Sequence, residues 1–326
     1  MYALSKTPVS QSTAQTLITA HFGANALIHD YSELTDGMYN AAYLIELTDT
    51  RRFVLKVAPP DDFKVMRYEK NIMAAEVEVL RLLRARTEIP VPDVFAYDAS
   101  RRWLDNDYFI MSFVPGTAFN KLREHLSAEE RRPIDIRTGE YLRQIHAIAH
   151  SNFGYFAQPN THTSTWRAAF ISMLEGILAD GKDANIPLPI AYDEFLPRLE
   201  RYLYVLDAVT QPRLVHWDLW DGNIFVDPQT KQITGILDCE RALWGDPLME
   251  ANFGAFGSNP AVLTGYGVDL LASLSARTRR SLYNLYLWLI MTIECTYRQF
   301  ETKDQENWAR NKLDEELKIL DGINYE

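Results

Sequence analysis

Apolar residues recur with a period of two in the early part of the chain and with a helical period in most of the later part, and this change divides the sequence. Segments 27–31, 41–47 and 53–57 read as strands, separated by Thr35-Asp36-Gly37 and by residues 48–51. A helix is predicted before them over residues 14–22, with Ser10, Ser12 or Thr13 as its cap. Another is predicted over 68–86, with Val79, Leu80 and Leu83 on the packing face. Ile89-Pro90-Val91-Pro92 ends it, because each proline disfavours helix at the residue before it. Segments 94–97 and 108–113 read as a hairpin, which Val114-Pro115-Gly116 breaks.

Helical patterning dominates from there. The capping box Ser127-Ala128-Glu129-Glu130 opens a helix that runs on through Tyr141, Leu142, Ile145 and His146. Ser164-Thr165-Trp166 opens another to about residue 178, and a further helix is predicted over 192–209. A strand, loop, strand stretch interrupts the series. Leu214 and Val215 begin it, Asp221-Gly222 turns the chain, and segments 224–226 and 233–237 pair across Asp227-Pro228. The hairpin brings Asn223, at the start of one strand, beside Asp238, at the end of the other. Residues 281–300 are nearly apolar all round except Glu294 and Arg298, one turn apart and expected to pair. A final helix over 304–320 is expected to turn Trp308, Leu313, Leu317 and Leu320 inward.

The chain has 326 residues, 47% of them hydrophobic and 24% charged, which is enough for two substantial lobes of an ordinary globular protein. A net charge of −11 argues against nucleic acid as a general partner and favours a cationic ligand. Cys239 and Cys295 are too few for a disulfide framework, so a reducing, cytoplasmic setting is expected. No basic segment followed by an apolar core is visible at the N-terminus. The most apolar run, 282–293, is too short to span a bilayer, so no membrane partner is expected.

The chemistry concentrates in RLVHWDLWDGNIFVDPQTKQITGILDCERALWGDP, residues 213–247. Phosphoryl transfer needs a carboxylate to accept an alcohol proton, oxygen ligands for magnesium, and a cation on the nucleotide phosphates. Asp218 suits the first role; Asn223 and Asp238 suit the second, since magnesium is a hard ion that shares its shell with substrate phosphates. Lys56 stands alone among apolar neighbours in Phe53-Val54-Leu55-Lys56-Val57, and a buried ammonium requires an anionic partner. The following helix offers Glu76, with Glu69 as its rival; a solvated strand-edge lysine is the remaining reading.

HWDLWDGNIFVD together with ILDCERALWGDP resembles the aminoglycoside phosphotransferase and choline kinase family, whose fold is protein-kinase-like. Trp217 stands where that family usually has glycine, and Cys239 where it usually has an aromatic or apolar residue. The resemblance implies an α+β, two-lobed enzyme, with a small antiparallel sheet lobe over residues 1–113 and a larger helical lobe over 114–326. It implies ATP and Mg2+ as cofactors, with Lys56, oriented by Glu76, on the phosphates. Gly37 and Asn40 would cover the phosphates; the main chain of Ser112 and Val114 would meet the adenine edge, with Phe225 and Leu237 against its ring. His216, His146 and Asp246 take structural roles in this reading.

The implied acceptor is a hydroxyl on a small amine-bearing or sugar-like molecule, such as an aminoglycoside, choline or an amino alcohol. Asp221, Glu240 and Glu294 are the candidate residues of an anionic acceptor mouth. The DLWDGN wording is similar to ketosamine kinases. A catalytically silent nucleotide-binding module is the alternative from another class, whereas a protein kinase would need D-F-G and A-P-E segments that do not follow at Asp238. Oligomeric state is not legible.

Overall fold

The computed structural model describes residues 5–37, 39–300 and 302–323. Met38, within the turn Asp36-Gly37-Met38-Tyr39-Asn40, lies outside the described residues. Helix α1 (Gln11–Phe22) is capped by Ser10, whose side chain accepts from the Thr13 amide. An antiparallel sheet follows, from β1 (Ile28–Leu34), β2 (Ala41–Leu47), β3 (Arg52–Val57), β4 (Val94–Asp98) and β5 (Tyr108–Ser112), in the order β1-β2-β3-β5-β4. Helix α2 (Ile72–Arg86) lies between β3 and β4 in the chain.

Period-two alternation sorts the sheet's side chains onto its two faces. Tyr43, Ile45, Leu55, Val57, Tyr108 and Ile110 share one core with Leu17 and Ile18 of α1. Val54, Phe109 and Met111 share the other with Val77, Leu80 and Leu83 of α2. Each fully buried aliphatic side chain contributes about 1.5–3 kcal/mol by leaving water. Lys56 falls on the α2 face by the same alternation, which is why its ammonium ends up under that helix. The α2 core continues without a break into the helical part of the molecule.

The helix expected over 68–86 is interrupted. Arg67–Glu69 forms a 3-10 turn, and Asn71 adopts a left-handed conformation (φ 60°) before α2 begins at Ile72. Asparagine tolerates that region better than other residues with a side chain, so the break is local chemistry that a helical period does not register. It turns Glu69 away from α2.

After β6 (Thr117–Ala118) the chain is mainly helical: α3 (Phe119–Arg123), α4 (Ala128–Ala147), then β7 (Gly154–Tyr155), α5 (Trp166–Asp183) and α6 (Phe195–Leu203). The helix expected over 192–209 is shorter, starting at Phe195 and tightening to a 3-10 turn over Tyr204–Ala208; Pro197 is tolerated because it falls in the first turn. Strands β8 (Arg213–Val215), β9 (Ile224–Val226), β10 (Ile233–Ile236) and β11 (Leu243–Gly245) carry the motif region. They form two small sheets, β10-β9-β6 and β7-β11-β8. Gly116, where the chain crosses from β5 to β6, has φ 117°, and a Cβ there would sit 2.7 Å from the Val226 carbonyl oxygen. Only glycine fits that crossing.

Helices α7 (Pro260–Tyr266), α8 (Leu274–Tyr297) and α9 (Asp304–Asp321) complete the large part. α8 starts seven residues before the expected 281, capped by Ser273 on the Ala276 amide, because its first turns are amphipathic and the apolar run begins later. Trp308 does not turn inward as expected. It remains 39% exposed and lies against Phe256 and Trp288. Among the described residues no helix is long and apolar enough to cross a membrane.

Candidate active site

Lys56 is the point at which distant segments meet. Its Nζ donates to both oxygens of Glu76, at 2.9 and 2.7 Å, and to Asp238 Oδ1 at 2.8 Å. Burial alone would pull this ammonium down, but Asp238, Glu76 and Glu240 hold it well above its ordinary value. Burial also tends to raise Asp238, and Lys56 brings it below the usual carboxylate range. Glu76, the more deeply buried partner, is pushed up to about 7 by burial against the pull of Lys56. Both its oxygens accept from Nζ, an arrangement that a carboxylate completes and a protonated acid does not. Glu69, the rival partner, is elsewhere: it accepts from the Met66 amide and pairs with Arg298.

The loop from β8 to β9 hangs on a buried carboxylate that the sequence reading passed over. Glu250, 0% exposed, accepts from the His216 amide at 2.7 Å and the Trp217 amide at 3.1 Å. Burial would push that carboxyl up, yet its bond to His146 and the charges around it hold it below the usual range. Arg280 donates to the Glu250 carbonyl at 2.6 Å and fixes the segment from the other side.

His216 Nε2 lies 3.1 Å from the Leu237 carbonyl, and the Asp218 amide donates to its Nδ1 at 3.3 Å. A carbonyl only accepts and an amide only donates, so the ring is the neutral Nε2–H tautomer. Burial depresses its pKa in the same sense. His216 thereby ties the loop to the end of β10. Trp217 adopts φ 64°, a region that favours glycine, and its ring stacks on Tyr286 with centroids 5.6 Å apart.

Asn223 Nδ2 donates to the Asp218 carbonyl at 2.8 Å and reaches its Oδ2 at 3.3 Å. This bond commits the amide nitrogen and leaves Oδ1 as the oxygen donor. Leu237 donates to the Asn223 carbonyl at 3.0 Å, so the hairpin sets Asn223 beside the residue preceding Asp238. Asp238 itself is left-handed (φ 64°). Carboxylate oxygens of Glu76, Asp238 and Glu240 lie within 4.8 Å of one another, the oxygen-rich donor set that a hard divalent cation takes. Burial pushes the Asp218 carboxyl up to about 7, opposed by Arg241 and aided by Asp238 and Glu294.

Among the other expected contacts, the Ser112 amide is engaged by the Asp93 carbonyl at 2.9 Å. The Val114 side chain packs against Gly235, where a Cβ would come within 2.4 Å of it. Phe225 and Leu237 are half-buried on the same hairpin, and Gly37 is exposed. Asn40 reaches across between the two parts of the chain, its Nδ2 donating to Glu240 Oε2 at 2.8 Å.

The three carboxylates expected to form an open anionic mouth are each engaged. Asp221 is held by Arg123, which also pairs with Asp135. Glu240 is buried on Asn40, and burial raises its carboxyl to about 8. Glu294 pairs with Arg241 at 3.3 Å, so the expected Glu294–Arg298 pair does not form; Arg298 instead pairs with Glu69 and lies 4.6 Å over the Tyr39 ring. Those partners come from segments far apart in sequence, which one-turn spacing along a helix cannot reveal. Arg241 is the chief residue the sequence reading left without a role. It is buried, sits 5.6 Å over the Tyr68 ring, and is held charged chiefly by Tyr68, Glu294 and Asp218 against burial.

The chain matches the phosphotransferase enzyme family over residues 30–282 and belongs to that family. A probable acyl-CoA dehydrogenase of Arabidopsis thaliana is 23% identical over 239 residues, 71% of this chain. The chain spans only 28% of that relative's length. A probable ketoamine kinase of Vibrio parahaemolyticus serotype O3:K6 is 24% identical over 85% of this chain and 89% of its own. Among solved structures, the GDP complex of wild-type aminoglycoside 2'-phosphotransferase-IIIa superposes with a TM-score of 0.68 at 16% identity, covering 95% of this chain and 99% of that one. A thermostable mutant of aminoglycoside phosphotransferase APH(4)-Ia gives 0.67 at 19%, covering 95% and 100%. The fold is therefore the α+β, two-lobed fold of these phosphotransferases.

Proposed function

We propose that this chain is an ATP-dependent kinase of small molecules, transferring the γ-phosphoryl group of ATP to a hydroxyl of a sugar-like or amine-bearing acceptor. The observation that carries the reading is Lys56 bonded at once to Glu76 and to Asp238, which are 20 and 182 residues away in the chain. In it, residues 1–113 form the nucleotide lobe and 114–326 the catalytic lobe. Lys56, set by Glu76, meets the phosphates; Gly37 and Asn40 cover them. The Ser112 and Val114 main chain, Phe225 and Leu237 surround the adenine. Asn223 and Asp238 would hold magnesium, and a carboxylate oxygen of Glu240 lies within 4.8 Å of one of Asp238. Magnesium, when bound, neutralises phosphate charge and orients the transferred group.

Asp218 orients the acceptor hydroxyl and takes its proton. A carboxyl raised to about 7 divides between its two forms near neutrality, the range in which a general base works well. His216 holds the loop and stays neutral. Asp246, which accepts from Leu248, Arg279 and Tyr283, braces the segment behind it. The presence of Asp218, Asn223 and Asp238 together favours this over a silent nucleotide-binding module. Relatives described as probable ketoamine kinases, matching over most of both chains, support a ketoamine sugar as one acceptor within the reading. Two unpaired, buried cysteines support a cytoplasmic setting. The test is thermal stabilisation by Mg-ATP, followed by ADP release over a panel of amines, sugars and antibiotics. Absence of stabilisation by Mg-ATP overturns the reading.

A further inference from the structure

Three residues of the turn between β1 and β2 are each held by a different element of the helical part. Lys121 of α3 donates to Asp36 at 2.6 Å. Asn40 donates at 2.8 Å to Glu240 Oε2, in the turn after Asp238. Between these two, the Tyr39 ring lies under the guanidinium of Arg298, which is 4.6 Å from the ring centroid and sits at the C-terminal end of α8. The Lys121–Asp36 pair is exposed on both sides and contributes little. Asn40, Glu240 and the Arg298 side chain are buried.

Arg298 is itself fixed by a second contact. Two of its guanidinium nitrogens face the two oxygens of Glu69, and Glu69 in turn accepts from the Met66 amide at 2.8 Å. Both side chains of that ion pair are buried. The pair sets the plane of the guanidinium and leaves its face to lie on an aromatic ring. An ammonium in its place would keep the charge but have neither the fork nor the face. Glu69 and Tyr39 belong to the part of the chain before residue 113, whereas Arg298 belongs to α8, so one side chain joins the two parts twice. Burial, together with Glu69 and Glu240, raises the Tyr39 hydroxyl far above its ordinary value. The ring that Arg298 meets is therefore a neutral phenol, and the contact is one of a cation with an aromatic face.

Resting on the kinase reading above, we infer that Arg298 is a positioning residue for phosphoryl transfer: from α8 it holds the Tyr39 turn down over the nucleotide phosphates. Gly37 and Asn40, which that reading gives to the phosphates, stand on either side of Tyr39 in the same turn, so the place of the ring bears on theirs. Without the stacked guanidinium, the turn keeps the Asn40–Glu240 bond and the exposed Asp36–Lys121 pair, and it covers the phosphates for a smaller fraction of the time. Affinity for a phosphate-bearing nucleotide falls by that fraction. Binding of the base, which the reading gives to the Ser112 and Val114 main chain and to the Phe225–Leu237 hairpin, does not depend on the turn.

The experiment titrates the full chain with Mg-ATP and, separately, with adenosine, which carries the base and no phosphate. Arg298→Lys, chosen because it keeps a cation beside Glu69, should raise the Mg-ATP Kd by roughly tenfold and leave the adenosine Kd within about twofold. Tyr39→Leu removes the ring without touching the Glu69 pair, and it should have the same effect. Tyr39→Phe keeps the ring and should bind both ligands as the wild type does. Because the two residues act through one contact, the double variant Arg298→Lys with Tyr39→Leu should bind Mg-ATP no more weakly than either single one. An unchanged Mg-ATP Kd in Arg298→Lys, equal losses for Mg-ATP and adenosine, or losses that multiply in the double variant would each overturn the inference while leaving the kinase reading standing. A wild-type chain that does not bind Mg-ATP removes the kinase reading and this one together.

Discussion

The two sides of the Asp218 loop are built differently. On the side that the proposed function gives to the nucleotide, one ammonium gathers two carboxylates within 2.9 Å, and the main elements around it are a strand, a helix and a hairpin with ordinary local signals. On the other side, which the same proposal gives to the acceptor, guanidinium groups and carboxylates pair across the helix α8, the Arg67–Glu69 turn and the turn after Asp238. The first arrangement presents charge to a charged ligand. The second cancels its own charge.

The largest expected effect tests the residue that both sides share. Asp218→Asn should lower kcat by about 10³-fold or more, the scale of a lost general base, while Mg-ATP affinity stays within about twofold. Comparable losses in both measurements would place Asp218 on the nucleotide side and dissolve the contrast. Next comes the acceptor side's internal neutralisation. Arg241→Met strands Glu294, a buried carboxylate, and should destabilise the fold by about 3–5 kcal/mol in urea unfolding. Replacing both residues with Met should recover most of that loss, since a well-packed apolar pair replaces a buried ion pair at little cost. A double variant as unstable as the single one would show that Arg241 matters through Tyr68 or Asp218 instead.

This contrast also explains what could be read along the chain. The meeting of Lys56 with Asp238 and of Asn223 with Asp218 is legible because each residue stands at a fixed point of a short pattern: a polar residue in an apolar strand, a turn, a strand end. Glu76 over Glu69 was a choice the helical period could not make, and the left-handed Asn71 decided it by breaking the helix between them. Arg241 and Arg298 were not legible, because their partners come from elements 53 and 229 residues away. The expected Glu294–Arg298 pair followed sequence spacing, whereas burial favoured the partner that each guanidinium could reach across the core. Glu250 had no pattern of its own; its signal is three-dimensional, two consecutive amides converging on one carboxylate.

Glu250→Gln sharpens the comparison from beneath, since the loop it braces serves both sides. Losing charge-assisted bonds to two amides should destabilise the fold by about 2–3 kcal/mol at pH 7. The sign with pH follows from its depressed pKa. In the wild type the unfolded chain binds the proton more readily, so this stabilisation is present above the ordinary value of 4.5 and is lost as pH falls through the lower folded value. The gap between wild type and variant should therefore hold from pH 7 down to about 4.5 and narrow as the solution is acidified below that. A gap that widens would mean the carboxyl is protonated in the native state.

The smallest effect concerns the seam itself. Trp217 fills the space between the loop and Tyr286, Tyr68 and Tyr155, yet it does so at φ 64°. Its packing and its backbone oppose each other. Removing the ring should cost about 3–5 kcal/mol, as for other buried tryptophans. Holding a non-glycine residue in the left-handed region costs roughly 1–2 kcal/mol. Trp217→Gly loses the first contribution and recovers the second; Trp217→Ala loses the first and recovers nothing. The glycine variant should thus be the more stable of the two by about 1 kcal/mol in urea unfolding, against the ordinary entropic disadvantage of glycine. If alanine proves the better replacement, the backbone is not strained at this residue, and the ring sits there because the loop prefers the conformation rather than because the aromatic cluster on the acceptor side holds it.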